Sequence, residues 1–117
     1  MKHTPGPWRV RTRESEGEIV DCFVAAPDVN GFAYAAAILE DGEYRDGIER
    51  KLADAHLVAA APDLLDACYK LMEWNNAENN APTYDSDNGA HYRMRQQLCA
   101  DTFALAAAAI AKAKGEP

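Results

Sequence analysis

Long apolar stretches are missing from this 117-residue chain. No run approaches the roughly 20 residues that a membrane-spanning helix requires, and the best candidate, residues 104–111, is short and mostly alanine. Lys2 is followed by no hydrophobic stretch, so a signal peptide is not expected. Cysteine is scarce. Cys22, Cys68 and Cys99 lie too far apart for a local metal motif, and three is an odd number for a disulfide framework. They read as buried free thiols of a reducing cytoplasm. Serine occurs only at Ser15 and Ser86, neither in a Gly-x-Ser-x-Gly setting, which removes the usual serine-nucleophile pattern. His3, His56 and His91 form no His-x-His or Glu-x-x-His pair. The seven glycines stand singly, so no loop is built to cradle a phosphate. Asp85-Ser-Asp-Asn-Gly89 places its glycine one position early for a calcium loop and would put Gln96 where the bidentate glutamate belongs. The chain is therefore expected to be no enzyme and to hold neither metal nor cofactor.

What is present is alanine, acid and a set of large apolar anchors. Trp8, Ile19, Val20, Phe23, Val24, Phe32, Tyr34, Ile38, Leu39, Leu52, Leu57, Leu64, Leu65, Leu71, Trp74, Leu98, Phe103, Leu105 and Ile110 are the candidate core. At about 1.5–3 kcal/mol for each fully buried large side chain, such a set supports one small domain spanning residues 1–117. Two prolines flanking a glycine in His3-Thr-Pro-Gly-Pro-Trp8 exclude helix and central strand, so this segment is an extended arm that delivers Trp8 to the core.

From Trp8 to Arg13, Trp8, Val10 and Thr12 alternate with Arg9, Arg11 and Arg13, the period of a half-exposed strand. A turn at Glu14–Gly17 leads into a second strand, Glu18 to Ala26. Asn30-Gly31 turns the chain again into a weaker third strand, Phe32 to Leu39. The three make an antiparallel meander within residues 1–39. Residues 48–115 are helical. Ile48, Leu52, Ala55 and Ala59 form one stripe of a first helix, Ile48 to Ala61. Pro62 ends it, because proline has no N–H to donate and its ring is favoured at the first position of a new helix. The second helix runs from Pro62 to Trp74, a polar loop follows to Gly89, and the third runs from Ala90 to Lys114, stopped by Gly115. The expected fold is α+β, a three-stranded antiparallel β-meander packed against three helices.

The net charge of −7 is unevenly spread. Residues 1–13 carry four bases and no acid, whereas residues 14–66 carry thirteen acids against three bases. The acidic middle repels phosphate, so nucleic acid is an unlikely partner, and Arg9, Arg11 and Arg13, with Trp8 adjacent, read as protection of a strand edge through pairing with nearby acids rather than as a grip on a phosphate backbone. Glu40, Asp41, Glu43, Asp46 and Glu49 cluster in and just after one loop and are the candidate partner-binding surface. The small face of the third helix, Ala104 to Ala113, suits close approach of another helix, from this chain or from a second copy in a homodimer.

Two stretches carry a resemblance. His3-Thr-Pro-Gly-Pro-Trp8 and Ala53-Asp-Ala-His-Leu-Val-Ala-Ala-Ala-Pro-Asp-Leu-Leu-Asp-Ala67 resemble a group of small phage and prophage proteins of unknown function, which share such an arm and such a helix joint. The likeness covers about a third of the chain. It implies a phage origin, action in the cytoplasm of a bacterial host, and no catalytic residue. Small phage accessory proteins often disable a host protein, so the expected function is host-protein binding. An anti-CRISPR or anti-nuclease inhibitor is one form, in which an acidic surface competes for a groove built for DNA. A structural or assembly protein of the virion and a small enzyme are the alternatives.

Overall fold

The computed structural model describes residues 6–27, 34–37, 47–83 and 87–116. Three strands and three helices follow in order: β1 Arg9–Ser15, β2 Glu18–Ala26, β3 Tyr34–Ala37, α1 Ile48–Ala59, α2 Ala61–Asn79 and α3 Ala90–Ala113. The strands are antiparallel in the order β1-β2-β3. Glu16 and Gly17 both have positive φ, 53° and 83°, so Ser15 and Glu18 are joined by the two-residue turn whose twist matches that of the strands it connects. From there β1 and β2 pair back to Arg9 opposite Ala25, with one register shift between Arg13 and Glu14.

The chain divides into two compact units. The first comprises residues 1–62 and 110–117, the second residues 63–109. In the first, α1 lies on the hairpin. Val10 and Val24 sit opposite each other in the sheet, and side chains alternate, so Val10, Cys22 and Val24 share one face. That face meets Ala55 and Ala59 of α1, with Trp8, Ile48, Leu52 and Val58 around them. Val24 is the one large side chain among the described residues that is fully buried. Alanine at 55 and 59 lets the helix backbone come close to the sheet.

The arm and the helix joint meet in this unit. A methyl group added at Gly6 would lie 2.9 Å from Cβ of Pro62. At the other end of the chain, Gly115, with φ +76°, terminates α3. Its N–H bonds the Lys112 carbonyl at 3.0 Å and the Glu116 N–H bonds the Ala111 carbonyl at 2.9 Å, the paired bonds of a glycine helix stop. A methyl group there would lie 2.9 Å from the ring of His56.

In the second unit α2 and α3 are tied by two contacts. Glu78 accepts from Arg95 Nη1 at 3.1 Å and from Trp74 Nε1 at 3.2 Å. The rings of Trp74 and Phe103 meet at a tilt with centroids 6.1 Å apart. Leu98, Thr102 and Ala109 form the buried stripe of α3, and the Thr102 hydroxyl bonds back to the Leu98 carbonyl at 2.7 Å. The Asp87 carboxylate accepts the His91 N–H and so satisfies a donor of the first turn of α3.

The expected packing of a three-stranded meander against three helices is overturned. The sheet is in substance the β1–β2 hairpin, to which β3 adds only four residues at one end. Its helical cover is α1, while α2 and most of α3 fall in the other unit. The physical reason is the composition of the two long helices. Their apolar residues, many of them alanine, lie on several sides, so no single stripe commits either helix to the sheet. The protein remains mixed α+β. Boundaries also shift: β1 runs on to Ser15, through two residues that read as turn, α1 ends at Ala59, and α2 continues past Trp74 to Asn79 through Asn75 and Asn76, which read as loop. The thiols are not uniformly buried, since Cys22 is buried, Cys68 exposed and Cys99 between.

Candidate interaction surfaces

One charged pair is built into the first unit. Lys51 lies on the buried side of α1, one turn before Ala55, and is only 4% exposed. Its ammonium donates to Asp21 Oδ1 at 2.6 Å, and the Cys22 backbone N–H donates to the same oxygen at 2.8 Å. The Lys51 bond and then the Cys22 bond hold the Asp21 carboxyl below its ordinary range. The pair fastens the hydrophilic edge of β2 to α1.

A small cavity of about 170 Å³ in the second unit is lined by Pro82, His91, Tyr92 and Arg95. The Arg95 guanidinium lies 5.6 Å from the centre of the Tyr92 ring and is already paired with Glu78. His91 Nδ1 and Arg95 Nε are buried without a hydrogen-bond partner. The space and its polar lining suit a few ordered waters. Among the described residues no group of three or more His, Cys, Asp or Glu side chains is arranged to hold a metal ion. No described helix is long and apolar enough to cross a membrane.

The largest unsatisfied feature is apolar. Leu65, Cys68, Tyr69 and Met72 recur at three- and four-residue steps and so form one stripe along α2. They lie on the side away from the buried Ala67 and half-buried Trp74. Tyr69 is 66% exposed and Met72 54%. On α3, Phe103 and Ile110, seven residues apart, are exposed as well. The sequence marks Val20, Phe23, Leu57, Leu71, Phe103, Leu105 and Ile110 as core, but all seven are exposed. Periodicity locates an apolar stripe on a helix, and it carries no sign of whether the stripe faces the interior or a partner. The useful signal was the excess: α2 has more apolar sides than one small unit can bury.

Of the acidic residues expected to meet a partner, Glu40, Asp41, Glu43 and Asp46 lie outside the described residues. Glu49 is exposed in the first turn of α1, where its charge complements the positive end of the helix dipole. Arg9, Arg11 and Arg13 are all exposed on β1. None of them makes an ion pair among the described residues, and Arg13 lies close enough to Asp21 to help lower its carboxyl.

A protein-family model described as Salmonella phage P22 protein Y8K6 matches residues 1–117, the whole chain. No curated protein and no solved structure matches it.

Proposed function

The chain belongs to that phage protein family, and from this origin we propose that it is an accessory protein that works by binding a host protein. The observation that carries the reading is the stripe of Leu65, Tyr69 and Met72 on α2, of which Tyr69 and Met72 are more than half exposed. Large apolar side chains aligned on one helix face are costly to leave in water and are typical anchors for a groove on another protein. The acidic cluster at Glu40, Asp41, Glu43, Asp46 and Glu49 supplies the second element. Its negative charge would steer the chain toward a basic surface, of which a DNA-binding groove of a defence nuclease or CRISPR complex is one form. Exposed Phe103 and Ile110 on α3 favour self-association as a second contact, in which the alanine face of that helix meets its copy.

The test is affinity capture from host lysate with three forms of the tagged protein. The wild type retains one defined complex. Tyr69→Glu/Met72→Glu loses it, because burying two carboxylates in an apolar groove opposes binding. Glu40→Lys/Asp41→Lys/Glu43→Lys loses it in physiological salt. Retention of the same complex by both variants removes the proposal, and incorporation of the wild type into purified virions replaces it with a structural role.

A further inference from the structure

The side of the β1–β2 hairpin turned away from α1 has its own chemistry, independent of the α2 stripe. Arg9, Arg11 and Arg13 alternate with Val10, which faces α1, so the three guanidinium groups share the opposite face. The pairing places Phe23 directly across from Arg11 and Asp21 across from Arg13. Phe23 is 37% exposed, and all three arginines are exposed. Asp21 is occupied by Lys51 and Cys22. The result is a strip on which Arg9 and Arg11 make no ion pair among the described residues, Arg13 stands beside the Asp21 carboxylate whose pKa it helps to lower, and one exposed aromatic ring lies in the middle.

We propose that this face binds single-stranded nucleic acid. Successive arginines on one side of a strand are about 6.8 Å apart, the scale of the phosphate repeat in an extended single strand. The guanidinium fork takes phosphate oxygens in pairs, and a solvent-facing phenyl ring beside it offers a surface on which a base stacks without regard to its identity. Neighbouring positions on the paired strands give both groups to the same strand of nucleic acid, whereas the grooves of a duplex keep its bases from that ring. An acidic peptide would use the arginines and leave Phe23 idle. The footprint is short. Beyond Arg13 the hairpin tip carries Glu14, Glu16 and Glu18, which limits it to three phosphates. The overall charge of −7 makes the interaction depend on a local field and therefore on low salt.

The test is fluorescence anisotropy of a labelled oligothymidylate against the full chain, with duplex DNA and polyglutamate in parallel. The wild type binds the single strand at low salt. Its log–log salt slope is about −2, the value for three phosphates on a single strand. Arg9→Gln/Arg11→Gln/Arg13→Gln weakens binding tenfold or more and flattens that slope. Phe23→Leu weakens it about fivefold or more with the slope retained, the signature of a lost base stack. Circular dichroism checks that each variant is folded, as exposed positions should permit. Absence of binding at low salt overturns the proposal, as does binding that survives the triple variant. Equal affinity for the duplex or for polyglutamate, or indifference to Phe23→Leu, also overturns it.

Discussion

Removing Asp21 and removing Lys51 break the same ion pair, yet the two should not cost the same. The Lys51 side chain is 5% exposed and the Asp21 side chain 38%. In Asp21→Asn the ammonium stays buried and faces a neutral amide oxygen. Leaving a charge buried without its counter-ion costs about 3–5 kcal/mol where both groups are enclosed. Here Asp21 is half open and Lys51 keeps a further interaction, so water and that partner repair part of the loss. We expect about 1–3 kcal/mol, the range for a buried polar group left poorly satisfied. In Lys51→Met the stem still packs beneath the sheet. The carboxylate that remains is hydrated and keeps the Cys22 N–H, so the cost should stay under about 1 kcal/mol. Urea denaturation of both variants with wild type measures the difference, and by melting it corresponds to about 4–8 °C for each kcal/mol.

The pH dependence fixes the cause. The Asp21 carboxyl is depressed in the folded state by the Lys51 bond first and the Cys22 N–H second, below an ordinary value of 3.8. Its contribution is therefore fully present above that ordinary value and is lost as pH falls through the lower folded one. The gap between wild type and Asp21→Asn should be constant from neutral pH to about pH 5 and close as the pH falls below 3.8. The reasoning fails if Lys51→Met is the more damaging change, or if the gap to Asp21→Asn is unchanged at pH 3.

Other perturbations follow from the same geometry. Gly6→Ala sets a methyl group against the rigid ring of Pro62 and should cost about 1–3 kcal/mol, read as an earlier melting transition. Gly115→Ala meets both a positive φ and the His56 ring, and it should destabilise by at least about 1 kcal/mol in the same assay. Val24→Ala empties the centre of the first unit and should cost about 2 kcal/mol in urea denaturation. Met72→Ser, on the outer side of α2, should change stability by no more than about 0.5 kcal/mol while weakening capture of a host partner.

The hairpin was legible because its signals are local. Gly17 permits the turn, and the Arg/Val alternation of β1 sets which face is inside. The break at Pro62 and the stop at Gly115 were legible for the same reason, since each rests on a backbone property of one residue. The continuation of α2 was hidden. Asn75 and Asn76 read as loop, and only the reach of Glu78 to Arg95, across a 17-residue separation, shows what a longer helix gains there. The burial of Lys51 was equally invisible, because its partner lies 30 residues away on another element. The candidate surface was seen in part. The acidic cluster is plain in the sequence, whereas the α2 stripe looks the same whether it points in or out. The arginine side of β1 was plain in the sequence as an alternation, whereas the position of Phe23 across from Arg11 depends on the strand register.

The contact between Gly6 and Pro62 couples two segments separated by half the sequence. A bulkier residue at position 6 is admissible only where position 62 shrinks, so the leading arm and the helical corner should change together or not at all across the family.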